Sequence, residues 1–243
     1  AQNIESIVGR NRKAEPDVHV LIADDNSPDG TGAIADRLAA DDDHVHVNHR
    51  RGKEGLGAAY LDSFHWGLDN GYDVLIEHDA DGSHQPEELH RLLDALANGA
   101  DMVKGSRWVR GGRIVNWPKS REVLSKGGNF WTQLMLGIPI KDATGGFNAF
   151  KADTLRAINL DEVASAGYCF QVDLTWRALK AGCTVEEVPI TFVERERGDS
   201  KMSRSIVIEA LIRTTLWGID HRIGQLRRLV GRVTRKGVTT GRS

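Results

Sequence analysis

Short apolar runs alternate with stretches of helical periodicity through the first hundred residues. Aliphatic runs that end at turn-forming residues predict buried strands; they cover 18–23, 45–47, 72–77 and 100–105. Between them, apolar residues recur every three or four positions, as in amphipathic helices. These residues are Ile34, Ala35 and Leu38, then Leu61, Phe64 and Leu68, then Leu89, Leu92, Leu93 and Leu96. The alternation predicts an α/β domain, with a mostly parallel central sheet and helices on both of its faces.

The pattern changes at the amino end and in the second half. Residues 1–8 carry a helical apolar pattern, and no strand precedes them. Because an α/β nucleotide domain ordinarily opens with a strand, we expect the first strand of the sheet to be missing. In the second half, the pattern predicts helices over 121–136 and 170–181 and a strand over 184–193.

The last segment of the chain is both apolar and basic. Over 205–235, aliphatic residues at helical spacing are interleaved with arginines. Such a helix can lie in a membrane interface, where each Lys or Arg near an anionic leaflet adds about 1 kcal/mol of attraction. The pattern equally fits a helix packed on its own domain with a solvated basic face. We therefore divide the chain into a domain over 1–204 and a basic amphipathic tail over 205–243.

Composition narrows the class of protein without specifying a chemistry. Of the 243 residues, 40% are hydrophobic and 27% are charged, which is ordinary for a globular domain of this size. The formal net charge of −2 gives no overall attraction to nucleic acid, so we expect no nucleic-acid partner. No run approaches the roughly 18 consecutive apolar residues that a spanning helix needs.

The strand predicted over 72–77 leads directly into Asp79-Ala80-Asp81, followed by the strand-breaking residues Gly82, Ser83 and His84. Open α/β sheets bind ligands at the carboxyl ends of their strands. Mg²⁺ takes oxygen ligands and is commonly held by one or two carboxylates together with substrate phosphates. The motif therefore predicts a metal site for a phosphorylated ligand. Because it is short, it is also compatible with two solvated acids at a turn.

Three further clusters lie at strand ends or in the loops after them. Asp24 and Asp25 follow the first predicted strand, and an acid there can accept hydrogen bonds from a nucleobase edge. Gly105-Ser106-Arg107 ends another strand, and Arg121 and Ser125 follow on a helix. The segment over 194–201 contributes Arg195 and Lys201. Since arginine suits bidentate phosphate binding and lysine binds phosphate as a point charge, the clusters together indicate several phosphate contacts.

These segments make the sequence recognisable, and the resemblance covers nearly the whole chain. It resembles the family-two glycosyltransferases of GT-A fold, and among them the polyprenyl-phosphate (dolichol-phosphate) mannose synthases of actinobacterial type. The motifs around Asp25, at 55–60 and around Asp79 indicate only the GT-A fold. The narrower group is indicated by Asn116-Trp117-Pro118, Arg121 with Ser125, the 142–147 segment, and Ser200-Lys201-Met202-Ser203.

The resemblance implies roles on the donor side of the site. Asp25, with the backbone near Ala23, would contact the guanine of GDP-mannose. Asp79 and Ala80 would face the ribose and phosphates. Asp81, with Asp79 and Ser83, would ligate Mg²⁺ or Mn²⁺. The 195–201 loop, through Arg195 and Lys201, would close over the diphosphate.

The resemblance also implies an acceptor and a reaction. Arg107, Arg121 and Ser125 would bind the acceptor phosphate, and 144–146 would line the sugar-acceptor cavity. The implied reaction is inverting transfer of mannose from GDP-mannose to a polyprenyl phosphate, with Asp79, Asp81, Arg107 and Arg121 as the catalytic set. The implied location is peripheral, on the cytoplasmic face of the cell membrane, and a partner embedded in that membrane stays open.

Other functions also fit the residues. Nothing in 24–27 decides between guanine and uracil, so transfer of another sugar, such as glucose from UDP-glucose, is an alternative. The family opens with a strand and a Pro-x-Tyr-Asn-Glu segment that touches the nucleotide, whereas residues 1–5 resemble the sequence just after it. We therefore expect an incomplete nucleotide site, and a degenerate, non-catalytic membrane-associated partner is a second alternative. A metal-dependent phosphatase is a weaker alternative, because its Asp-x-Asp motif usually follows the first strand, whereas this one follows a later strand.

Overall fold

The computed structural model describes residues 3–163, 168–194, 208, 210–220 and 222–223 of the chain. The helices are α1 (Ile4–Ala14), α2 (Thr31–Asp41), α3 (Leu56–Asp69), α4 (Leu89–Ala97), α5 (Lys119–Leu136), α6 (Ala152–Ala157), α7 (Tyr168–Lys180) and α8, which includes 210–220. The strands are β1 (Val20–Asp24), β2 (Val45–His49), β3 (Val74–Glu77), β4 (Met102–Ser106), β5 (Arg113–Val115), β6 (Asn148–Lys151), β7 (Val185–Pro189) and β8 (Thr191–Val193). The four strands predicted between residues 18 and 105 are confirmed, each with ends within two residues of the prediction.

The strands form three groups, and most of their pairings are parallel. β1 pairs with β2, β4 with β7, and β5 with β8, all in parallel. The central sheet has the order β3-β6-β4-β7, and β6 is antiparallel to both of its neighbours. The predicted α/β class with a mostly parallel sheet is confirmed. The sequence did not indicate β6, because it is only four residues long and begins with the polar Asn148.

The single strand predicted over 184–193 is wrong, because the chain changes sheets within it. β7 ends at Pro189, which has no N–H to donate to a ladder. The N–H of Ile190 then donates to the carbonyl of Ser106 at 3.1 Å, after which β8 pairs with β5. The switch carries Glu194 next to β5, where its N–H donates to the carbonyl of Val115 at 3.0 Å.

Helices cover both faces of the central sheet. Because successive strand residues point to opposite sides, neighbouring residues of one strand pack against different helices. On β4, Met102 packs in a cluster with residues of α3, α6 and α7, whereas Val103 packs in a second cluster with residues of α4. Phe150 and Ala149 of β6 are divided between the same two clusters. The strand ends are therefore held by apolar packing from above and below.

A cavity of about 670 Å³ lies between β1 and β3, which are not paired with each other. It is lined by both strands and by residues of α1, α3 and α4. Asp24, Asp79 and Ala80 are also among the residues that line it. The predicted helix at the amino end is confirmed as α1. Within the described ranges no strand fills the space, and the expectation of a missing strand stays a prediction.

α8 packs against α5. The indole N–H of Trp131 donates to the hydroxyl of Thr215 at 3.1 Å, and Gly218 lies against the backbone of Met135. Trp176 of α7 and Trp217 stack with ring centroids 5.9 Å apart. The remainder of the predicted tail lies outside the described residues. Among the helices of the described part, none is both long and apolar enough to cross a membrane.

Candidate active site

One cavity of about 140 Å³ brings together residues that the sequence had suggested separately. Asp79 and Asp81 lie just past β3, and Arg107 lies just past β4. Arg121 and Ser125 reach the same cavity from α5, where positions four apart share one face. Since β3 and β4 run in the same direction, their carboxyl ends meet at one edge of the sheet. The result is a carboxylate pair and two guanidinium groups around one space.

Both carboxylates of the pair have fixed contacts. The phenol of Tyr60 donates to Oδ1 of Asp79 at 2.9 Å, and the backbone N–H of Ser83 donates to Oδ1 of Asp81 at 2.9 Å. Both aspartates are partly exposed. The Ser83 side chain is buried, and its hydroxyl has no hydrogen-bond partner within the described part of the chain. Its predicted role as a metal ligand stays a prediction.

The donor set at this position fits a divalent cation. In the described ranges, no group of three or more His, Cys, Asp or Glu side chains could hold a metal ion. Mg²⁺ and similar hard ions do not need such a group, because they commonly take one or two carboxylates and complete their shell with water and substrate phosphates. Asp79 and Asp81 are such a pair of carboxylates, and both line the cavity.

A fully buried polar layer, not predicted from the sequence, lies beneath Asp79. Glu77 accepts hydrogen bonds from the amides of Asn148 at 2.8 Å and Gln171 at 2.7 Å. Lys104 donates to the amide oxygen of Asn148 at 2.7 Å. Burial raises the pKa of Glu77 and lowers the pKa of Lys104. The sequence did carry a signal for this layer, because Glu77 and Lys104 are charged residues inside otherwise apolar strands.

Arg107 is held by Asp142, which is also fully buried. Its Nε and Nη2 donate to the two carboxylate oxygens at 2.7 and 2.6 Å, and its backbone N–H donates at 2.9 Å. Burial alone would raise the pKa of Asp142, but the charge and hydrogen bonds of Arg107 outweigh burial and lower it. The bidentate contact fixes the plane of the guanidinium at the edge of the cavity.

Arg121 pairs with Glu194, and its guanidinium lies 4.2 Å from the ring centroid of Trp117. The Arg107 guanidinium lies 5.3 Å from the same ring. Trp117, from the Asn-Trp-Pro segment, thus contacts both cations through its π face. Thr144 and Gly146, expected in the acceptor cavity, line it too.

Three of the residues expected on the nucleotide side line the larger cavity between β1 and β3, whereas Asp81 lines only the smaller one. Ala23, Asp79 and Ala80 line the larger cavity, together with Asp24 rather than Asp25. Asp25 is instead paired with Arg50, whose buried guanidinium also contacts Asp62 at 2.6 Å. Asp79 lines both cavities, so it lies where they meet. Arg195 and Lys201 lie outside the described residues.

Comparison with known proteins gives close relatives over most of the chain. The profile described as "Glycosyl transferase family 2" matches residues 1–158. A polyprenol monophosphomannose synthase of Mycolicibacterium smegmatis is 56% identical over 230 residues, which are 94% of this chain and 87% of that protein. An undecaprenyl-phosphate mannosyltransferase of Micrococcus luteus is 55% identical over 231 residues, which are 94% of this chain and 95% of that one.

Solved structures share the fold at low sequence identity. Glucosyl-3-phosphoglycerate synthase of Mycobacterium tuberculosis aligns with a TM-score of 0.61 and 17% identity, over 88% of this chain and 75% of that one. A mannosyltransferase of Pyrobaculum calidifontis, solved with GDP-Man and Mn²⁺, aligns with a TM-score of 0.52 and 16% identity, over 98% and 77%. With the profile match and the two relatives, these findings establish that the chain belongs to glycosyltransferase family 2 and is a glycosyltransferase of GT-A fold.

Proposed function

We propose that this enzyme transfers mannose, with inversion, from GDP-mannose to the phosphate of a polyprenyl phosphate. The observation that carries the proposal is the single cavity in which the carboxylate pair faces Arg107 and Arg121. A sugar transfer between two phosphorylated substrates needs a cation site for the leaving diphosphate and cationic side chains for the incoming phosphate. The names of the two close relatives, a polyprenol monophosphomannose synthase and an undecaprenyl-phosphate mannosyltransferase, support the same substrates.

On the donor side, Asp79 and Asp81 would hold Mg²⁺ or Mn²⁺ against the diphosphate. A divalent cation bound there supplies neutralisation of the charge that builds on the leaving group. The sugar and nucleotide would extend from Asp79 into the larger cavity, past Ala23 and Ala80. Guanine is proposed over uracil from the motifs alone, and the Pyrobaculum calidifontis protein is an example of this fold with GDP-Man and Mn²⁺.

On the acceptor side, the chemistry requires no general base. The second pKa of a phosphate monoester is about 6, so the attacking oxygen is largely deprotonated at neutral pH. The obstacle is repulsion from the donor diphosphate, which Arg107 and Arg121 would offset. Asp173, a carboxylate that could be considered as a base, is buried and accepts a hydrogen bond from Arg177 at 2.8 Å. A direct attack by the acceptor, opposite to the leaving diphosphate, would invert the anomeric centre.

An exposed apolar face, formed by α5 and α8, supports delivery of the acceptor from a membrane. On α5, Val123 is 71% exposed and Phe130 is 65% exposed. The two residues are seven positions apart and therefore lie on the same face of the helix. Ile212, Leu216 and Ile219 form a matching exposed stripe on α8. The small cavity is also lined by Leu124, Ser125, Leu211 and Thr214 of the same two helices. A polyprenyl chain could therefore leave the cavity along an apolar surface.

We place this face in the interface of the cytoplasmic leaflet, as a peripheral attachment. Arg222 is exposed just beyond the 210–220 part of α8, and a cation beside an apolar stripe favours an anionic lipid surface.

The test is transfer of labelled mannose from GDP-mannose to a short polyprenyl phosphate, with and without Mg²⁺ or Mn²⁺, and with UDP-glucose as the parallel donor. Metal-dependent mannolipid is the expected product. A product from UDP-glucose alone would replace the donor in this proposal. Absence of any product, together with absence of metal-dependent GDP binding, would favour the non-catalytic alternative.

A further inference from the structure

Tyr60 connects α3 to the carboxylate pair. Its hydroxyl donates to Oδ1 of Asp79 at 2.9 Å. Its ring is held by Phe64 and Phe170, with centroids 6.1 Å from each and interplanar angles of 29° and 12°. Phe170 is fully buried, so the aromatic stack is anchored in the core cluster that includes α7. The phenol oxygen is thus presented to Asp79 from a rigid position.

Asp79 is the residue whose orientation matters most to the two cavities. It lines both the nucleotide-side cavity and the acceptor cavity, and it lies two residues beyond Glu77, whose carboxylate is fixed by Asn148 and Gln171. A cation held by two carboxylates depends on the rotamer of each one. A hydroxyl donated to one oxygen of Asp79 limits rotation of the carboxylate and directs the other oxygen.

We propose that Tyr60 is a positioning residue, which orients Asp79 toward the divalent cation and the diphosphate of the nucleotide sugar. This inference rests on the proposed function, in which Asp79 faces the cation. Tyr60 does not itself contact the reacting atoms. It acts through the orientation of Asp79, as partners of metal-ligating carboxylates commonly do.

The decisive variant is Tyr60→Phe, which removes one hydroxyl and keeps the ring in its aromatic stack. Loss of such a partner typically weakens metal affinity by about 10–100-fold. We therefore expect the concentration of Mn²⁺ needed for half-maximal GDP binding to rise about 10-fold or more. Tyr72→Phe is the matched control, because the Tyr72 hydroxyl contacts His19 at 2.9 Å, at the opposite end of β3.

The experiment is Mn²⁺ titration of the full chain, with free Mn²⁺ followed by electron paramagnetic resonance and GDP binding by calorimetry. The inference is supported if Tyr60→Phe weakens Mn²⁺-dependent GDP binding while metal-free GDP binding and Tm match Tyr72→Phe. It is overturned if the Mn²⁺ requirement of Tyr60→Phe equals that of the wild type, or if both binding modes weaken equally. Asp79→Asn separates the two proposals: if it leaves Mn²⁺-dependent binding intact, the cation site itself is wrongly placed.

Discussion

The ion pair between Asp142 and Arg107 allows a quantitative test of how a buried charge pair stabilises the wall of the small cavity. Asp142→Ala removes the carboxylate that accepts three hydrogen bonds from Arg107, at 2.6, 2.7 and 2.9 Å. The Arg107 side chain is 8% exposed, so water cannot replace its counter-ion freely. The variant therefore takes the bidentate counter-ion away from a buried cation.

Breaking a buried pair by removing one partner costs about 3–5 kcal/mol in free energy of unfolding. In a chain of this size each kcal/mol shifts Tm by about 2–4 °C, so Tm should fall by about 6–20 °C. Arg107→Met combined with Asp142→Ala should recover part of the loss, because the unpaired charge is then absent.

The contribution of this pair also depends on pH in a defined direction. The pKa of Asp142 in the folded chain lies below its ordinary value of 3.8. Its stabilising contribution is therefore fully present above about pH 3.8 and is lost as the pH falls through the lower, folded value. The difference in stability between the wild type and Asp142→Asn should be constant near neutral pH and shrink in acid.

Thermal unfolding followed by circular dichroism measures these effects. The control is Asp153→Ala, which removes an exposed ion pair with Arg156 and should leave Tm unchanged. If Asp142→Ala behaves like this control, the buried pair does not stabilise the fold as reasoned. If the double variant is less stable than Asp142→Ala alone, the buried charge of Arg107 is not the cause of the loss.

Two further predictions concern the helices α5 and α8. Gly218→Ala places a Cβ against the Met135 carbonyl and should lower the free energy of unfolding by about 1–3 kcal/mol. Gly127→Ala places its Cβ in open space and should not lower it. Chemical denaturation of the two variants measures the difference. Phe130→Ser with Leu216→Ser should reduce sedimentation with anionic vesicles without lowering Tm, and Leu56→Ser, also exposed, should change neither.

Much of the fold could be predicted because its signals are local. Periodicity located β1 to β4 and the helices between them, and strand ends located Asp79, Asp81 and Arg107. Boundaries were near the observed ones since the apolar runs end at turn-forming residues. The family resemblance then grouped these positions with Arg121 and Ser125.

The tertiary structure alone decided the contacts that join distant segments. Asp142 lies 35 residues from Arg107, and Gln171 lies 94 residues from Glu77. The change of sheet after Pro189 and the antiparallel pairing of β6 with β4 likewise depend on strands far along the chain.

The sequence by itself determined the α/β architecture and the residue types that reach the carboxyl edge of the sheet, since both follow from side-chain spacing. Only the tertiary structure decided that Asp142 holds Arg107, that Trp117 contacts two guanidinium groups and that Tyr60 donates to Asp79. Those choices depend on which buried polar groups satisfy one another once the core has packed, and periodicity carries no information about such pairings.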